Sequence, residues 1–143
     1  MRTLLFLSLL LTRFTMSTQV QSDAVVDRQL HRVIMQVTQA DSAFQLTVIG
    51  QLKNIKKALP EAKIEVVCHS QGLPMLLKDE TKVAQHVREL SEQNVTFAAC
   101  ENTLRRRKAT EADLLPSATT VPSGLVEIIL KQEQGWAYVK GGI

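Results

Sequence analysis

Cys100 stands between a short apolar run, Val95-Thr-Phe-Ala-Ala99, and a polar, basic stretch, Glu101-Asn-Thr-Leu-Arg-Arg-Arg-Lys108. That pattern places it at a strand-to-helix junction, where the positive end of the following helix favours a thiolate. Arg105, Arg106 and Arg107 are expected to add to that pull and the adjacent Glu101 to oppose it. The arginines lie a turn or more along the helix, so distance and screening weaken their effect. Two readings of the residue follow. One is a small buried hydrophobe, since free cysteine is among the most buried residue types. The other is a nucleophile, or a carrier of sulfur as a persulfide.

Cys68 and His69 form the second group with chemical potential. A cysteine beside a histidine suits base-assisted nucleophilic attack or metal binding. Neighbouring side chains on a strand point to opposite faces, however, so these two do not converge. Two thiols and one imidazole on separate strands are also too few for a structural zinc site, and no metal is expected. If the first strand lay between the second and third, Cys68 and Cys100 would be about 10 Å apart across the sheet. A disulfide needs α-carbons within about 7 Å, so two free thiols are expected. His31 and His86 read as strand-edge and helix-surface residues. The chain has no glycine-rich phosphate loop, no paired catalytic carboxylates and no Gly-x-Ser-x-Gly elbow, so most hydrolase and nucleotide chemistries lack their residues.

The elements that must position these groups alternate in type. Leu30–Val37 reads as a first strand. Asp41 has the character of a helix N-cap, and Phe44, Val48, Leu52, Ile55 and Leu59 recur at helical spacing up to Pro60. Ala62–Cys68 is a second strand, followed by a turn at Gln71–Pro74. A helix is predicted over Asp79–Gln93 from Val83, Val87 and Leu90, with Asn94 as its exit. Val95–Ala99 is the third strand, and the helix after Cys100 is short. Thr110-Glu-Ala-Asp113 has capping-box spacing and closes at Pro116. Ala118–Val121 is a brief fourth strand. Ser123-Gly124 opens a last helix carrying Leu125, Val126, Ile128, Ile129 and Leu130, and Trp136–Val139 forms an edge strand. This alternation predicts an α/β fold with a mainly parallel sheet covered on both faces. Functional residues then gather at the carboxyl ends of the strands, where Cys68, His69, Cys100 and Pro122-Ser123-Gly124 all fall.

Composition agrees with one globular domain: 143 residues, 45% hydrophobic and 22% charged. The net charge of +3 includes Arg2 and Arg13, and without residues 1–22 it is +1, too small for a dedicated nucleic-acid binder. Arg105 to Lys108 is thus a local feature: a solvated face, a favourable charge at a helix end, or a docking patch for an acidic partner. The N-terminus, with Arg2 followed by Leu4–Leu11, fits a secretory signal peptide and is too short for a membrane span. Residues 1–22 are read as this leader and residues 23–143 as the single domain, periplasmic or secreted, with no stable membrane association once the leader is removed. A start at Met16 would instead make the protein cytoplasmic.

The segment Phe97-Ala-Ala-Cys-Glu-Asn-Thr-Leu-Arg-Arg-Arg107 resembles the Ala-Cys-x-Asn-Thr signature of the DsrE/DsrF-like (YchN-like) sulfur-relay family. Lys63-Ile-Glu-Val-Val-Cys-His-Ser-Gln-Gly-Leu73, Asp113-Leu-Leu-Pro116, Val121-Pro-Ser-Gly124 and Gln132-Glu-Gln-Gly-Trp-Ala-Tyr138 follow the same order. The resemblance runs from about Leu30 to Tyr138. It implies a three-layer α/β/α sandwich of about five strands that assembles as a homotrimer or homohexamer. It also implies that Cys100 carries sulfane sulfur as a persulfide, with His69, Gly72, Asn102, Ser123 and Gly124 lining its pocket.

The resulting expectation is a sulfurtransferase-like carrier acting in intracellular sulfur oxidation or sulfur trafficking, between sulfur donor and acceptor proteins. Thiol chemistry of this kind needs no metal or organic cofactor. An exported carrier would need its thiol kept reduced in an oxidising compartment. The alternative is a non-catalytic homo-oligomeric binding module, whose strand-end pocket takes a small ligand or a partner protein.

Overall fold

The computed structural model describes residues 26–142. The leader and the choice of start lie outside these residues. Five strands, β1 (Arg32–Val37), β2 (Lys63–Cys68), β3 (Val95–Cys100), β4 (Ala118–Val121) and β5 (Ala137–Lys140), form one sheet in the order β4-β3-β2-β1-β5. All four ladders are parallel. The three inner strands are buried along nearly their whole length, as the continuous apolar runs of a two-sided parallel sheet require, while β4 and β5 form the exposed edges.

The helices are α1 (Ser42–Ala58), α2 (Ala84–Ser91), α3 (Glu101–Arg107) and α4 (Gly124–Glu133). Asp41 caps α1, its carboxylate accepting the Phe44 N–H at 3.1 Å. One face of the sheet, with Val33, Met35, Val37, Ile64, Val66, Cys68, Phe97 and Ala99, packs against Val48, Ile49 and Leu52 of α1, Val87 and Leu90 of α2, and Leu104 of α3. The opposite face is thinner: Ile34, Val67 and Ala98 meet Ile128 of α4, with Val121 and Trp136 alongside. The two covered faces make a three-layer α/β sandwich.

On the thin face α4 is also tied down by charge. Lys131 reaches the buried Glu65 at 2.7 Å and Glu127 at 3.5 Å, and lies 4.4 Å from the centre of the Trp136 ring. Leu125, Val126, Ile129 and Leu130 of the same helix remain exposed.

Two sequence expectations change, and one condition considered for the strand order is not met. The helix predicted over Asp79–Gln93 is confined to Ala84–Ser91, because the preceding backbone bonds elsewhere. Leu77 bridges Leu114, Lys78 N–H donates to the Asp113 carbonyl, and Lys82 N–H donates to Gln45 Oε1. The turn at Gln71–Pro74 is part of a longer 3-10 stretch, Ser70–Leu76. The first strand does not lie between the second and third: β2 and β3 are direct neighbours, with Cys68 opposite Ala99.

Candidate active site

The sheet places Cys68 and Cys100 on opposite faces. Cys68 shares a face with its partner Ala99 and packs in the larger core, whereas Cys100 follows the alternation of Ala98 toward α4. Both are free thiols. Burial pushes the Cys68 thiol far above its ordinary range, so it stays protonated and inert. His69, one residue beyond Cys68, turns to the α4 side and joins Cys100 at the cleft.

Cys100 ends β3 and is the residue from which α3 starts. It is only 5% exposed, yet it lines an open cleft of about 550 Å³ with His69, Ser70, Asn102, Thr103, Arg105 and Arg106. Ser123 and Gly124, from the start of α4, border the same cleft. Gly124 N–H donates to Cys100 Sγ at 3.3 Å. Glycine allows a close approach at this point: an added Cβ would sit 3.0 Å from Val67 Cγ1, 3.1 Å from His69 Cβ and 3.4 Å from Cys100 Cβ, so these neighbours would have to give by a few tenths of an ångström. The missing side chain therefore lets the helix start descend onto the sulfur.

Burial works against ionisation of Cys100. The N–H of Gly124, the hydroxyl and N–H of Thr103 and the N–H of Asn102 outweigh it and hold the thiol below its ordinary value of 9.0. The arginines expected to help do not contribute. Arg105 engages Glu101 at 3.6 Å and also Asn102 Oδ1, while Arg107 pairs with Glu80 at 2.6 Å. The electrostatic work is done by oriented dipoles at short range, not by the basic run.

Thr103 connects the parts of the site. It is 2% exposed, and its Oγ1 accepts Ser70 N–H at 3.1 Å and Arg106 Nη2 at 3.3 Å. The same hydroxyl is among the groups that lower the Cys100 pKa. Ser70, whose N–H makes this bond, adopts φ +52, a left-handed conformation uncommon outside glycine.

A second chain of hydrogen bonds orients His69. Tyr138 donates its hydroxyl to Gln36 Oε1, and Gln36 Nε2 donates to His69 Nε2 at 2.8 Å. That leaves the proton on Nδ1, which donates to Ser70 Oγ at 3.0 Å. Burial and then the Arg106 charge lower the His69 pKa, so the ring is neutral at physiological pH.

Of the residues singled out in the sequence, His69, Asn102, Ser123 and Gly124 border the cleft with Cys100. Gly72 does not. It packs behind the site, where a Cβ would lie 2.2 Å from the Val37 carbonyl oxygen. Thr103, Ser70, Gln36 and Tyr138 were not anticipated as site residues. Thr103 alone had a local signal, its place directly after Asn102 in the first turn of α3; Gln36 and Tyr138 depend on strand order.

A cysteine with a lowered pKa on the carboxyl edge of a five-stranded parallel sheet defines a thiol protein of the α/β class. The chain belongs to the DsrE/DsrF-like family, whose model matches residues 31–140. It is similar to the structure of a protein of unknown function from Methanobacterium thermoautotrophicum, at 35% identity and a TM-score of 0.73, covering 77% of this chain and 98% of that one. The YchN protein of E. coli shares the fold at 12% identity and a TM-score of 0.63, covering 80% and 99% of the two chains. No curated protein matches the sequence.

Proposed function

We propose that this protein is a sulfur carrier that holds sulfane sulfur as a persulfide on Cys100. The observation that carries the reading is the sulfur's setting: a recessed thiol, favoured as thiolate, facing a cleft and ringed by N–H and O–H donors. Membership of the DsrE/DsrF-like family supports a relay role of this kind. The thiolate attacks the outer sulfur of a donor persulfide, the donor S–S bond breaks, and the donor thiolate leaves with the electron pair. An acceptor thiolate later attacks the outer sulfur of the Cys100 persulfide in the same way and restores the Cys100 thiolate. Gly124 N–H and the Thr103 hydroxyl stabilise whichever sulfur anion occupies the floor of the cleft.

Donor and acceptor are proposed to be proteins or small thiols of a sulfur oxidation or trafficking route. A homotrimer or homohexamer is proposed on the exposed apolar residues of α4, with light scattering as its test. Export to the periplasm rests on the Leu4–Leu11 run, and N-terminal sequencing of protein from its host tests it. A chain beginning at Met16 would remove that part of the reading.

Mass spectrometry after exposure to a persulfide donor tests the carrier itself. Cys100 should gain the mass of one sulfur, and a Cys100→Ser variant should gain nothing. Modification of Cys68 alone, or of neither cysteine, would leave only the non-catalytic binding module.

A further inference from the structure

Three consecutive arginines leave β3 on α3, and they differ in what they touch. Arg105 and Arg107 are paired with Glu101 and Glu80, whereas Arg106 forms no ion pair among the described residues. Its guanidinium is held by one neutral contact, Nη2 to Thr103 Oγ1 at 3.3 Å, and it lines the cleft that contains Cys100; Arg105 borders the same cleft, but with its charge turned to Glu101 at 3.6 Å. Thr103 is the link: the same hydroxyl that accepts from Arg106 serves the sulfur. The positive charge therefore stands one hydroxyl away from Cys100, with open cleft beside it. It is not required for the thiolate, whose donors are Gly124, Thr103 and Asn102. Arg106 also borders a second, shallower depression with Ser70, Gln71 and Arg107, so the cationic rim continues outward from the cleft.

We infer that Arg106 is an anion-recognition residue, and that the cleft takes a small sulfur donor carrying an oxyanion group close to its transferable sulfur. This rests on the carrier reading of Cys100. The recessed position of the sulfur, 5% exposed in a cleft of about 550 Å³, suits a small molecule better than the surface thiol of a folded partner. An unpaired guanidinium offers the planar fork of donors that a carboxylate or sulfonate accepts. Thiosulfate is the simplest member of the class. The Cys100 thiolate attacks its outer sulfur, the S–S bond of thiosulfate breaks, and sulfite leaves with the electron pair. Cys100 is left as the persulfide anion, and charge and atoms balance without an added oxidant or reductant.

Two measurements on the full-chain protein test the inference. The first compares alkylation of Cys100 by iodoacetate, an anion, and by iodoacetamide, its neutral counterpart. Arg106→Gln should lower the iodoacetate-to-iodoacetamide rate ratio about fivefold, as expected for loss of one partly exposed charge contact. Arg107→Gln removes the same net charge and should leave the ratio within about twofold, because a paired and more distant charge acts only through a screened field. Equal falls in both variants would reduce the effect to that general field and overturn the proposal. Equal slowing of both reagents in Arg106→Gln would show that the arginine acts on the sulfur through Thr103, and would overturn it too.

The second measurement does not depend on a reactive sulfur. Cys100→Ser protein is titrated with thiosulfate and followed by backbone amide NMR. Saturable shifts are expected at Ser70, Thr103 and Gly124, and they should disappear when Arg106→Gln is added. Saturable binding together with a wild-type Cys100 that resists both alkylating agents would support the anion site while removing the carrier reading. Absence of saturable shifts, with sulfur accepted only from a protein persulfide, would keep the carrier and overturn the anion site.

Discussion

Gly124 and Cys100 meet across 24 residues of sequence through a single N–H···S hydrogen bond of 3.3 Å. The contact couples α4, on the thin face of the sheet, to the sulfur of Cys100 at its carboxyl edge. It exists because position 124 has no side chain, so the helix entry can approach Val67, His69 and Cys100 together. Gly124→Ala should push α4 outward by a few tenths of an ångström and lengthen the bond to sulfur. Overpacking of this size costs about 1–3 kcal/mol. The expected readings are a lower urea midpoint and an upward shift of the pH midpoint for Cys100 alkylation. An unchanged pH midpoint in a destabilised variant would deny the N–H a role in holding the thiolate.

Removing the Thr103 hydroxyl should act on the same sulfur from the other side. Thr103→Val deletes one donor to Cys100 and leaves Ser70 N–H without its acceptor. Iodoacetamide reaction at neutral pH should slow about tenfold, the effect of one hydrogen bond to a charged group. Thr103→Ser should retain the wild-type rate within about threefold, since the hydroxyl is kept. The sign for stability follows from the lowered folded pKa. The contribution is fully present above the ordinary thiol value of 9.0 and is lost as pH falls through the lower native value. Unfolding free energy should therefore rise with pH across that window, and Cys100→Ser should flatten the rise.

Burial and then the Arg106 charge keep His69 neutral, and the Gln36 amide donating to Nε2 leaves its proton on Nδ1. Its folded pKa lies below the unfolded value of 6.5, so its contribution to stability is complete above 6.5 and is lost as pH falls through the native value. Gln36→Glu places a carboxylate against Nε2 and should raise the His69 pKa, read by NMR titration of the ring. A wild-type ring protonated on Nε2 instead would sink this account of the Tyr138–Gln36–His69 chain.

The two cysteines should respond very differently to reagents. In the native protein iodoacetamide should label Cys100 alone, because Cys68 is fully buried and its thiol is kept protonated. Adding denaturant should expose Cys68 and bring labelling to both. Native labelling of Cys68 at a comparable rate would contradict its place in the larger core.

Much of this protein was decided by short-range sequence pattern. The inner strands are legible because Val33-Ile34-Met35, Ile64 to Cys68 and Val95 to Cys100 are near-continuous apolar runs, the mark of strands buried on both faces. α1 is legible from its Asp41 cap and its helical spacing. Cys100 itself is visible because the change from an apolar run to a polar helical one is a local event. The limits of α2 were not legible, since residues before Ala84 spend their hydrogen bonds on Gln45 and on the segment around Asp113.

What makes the cysteine useful came only with the tertiary structure. Periodicity tells a strand which side chains alternate, but not which strand lies beside it or which helix covers it. Those choices depend on long-range packing. The order β4-β3-β2-β1-β5 set Cys68 and Cys100 on opposite faces and brought Gln36 and Tyr138 to His69. The seating of Ile128 against Ile34, Val67 and Ala98 then carried Gly124 onto the sulfur. Sequence by itself marked the atom that reacts; the packed sheet and α4 supplied the donors that make it a thiolate, because hydrogen bonds of that range require elements far apart in the chain to be held within a few ångströms of each other.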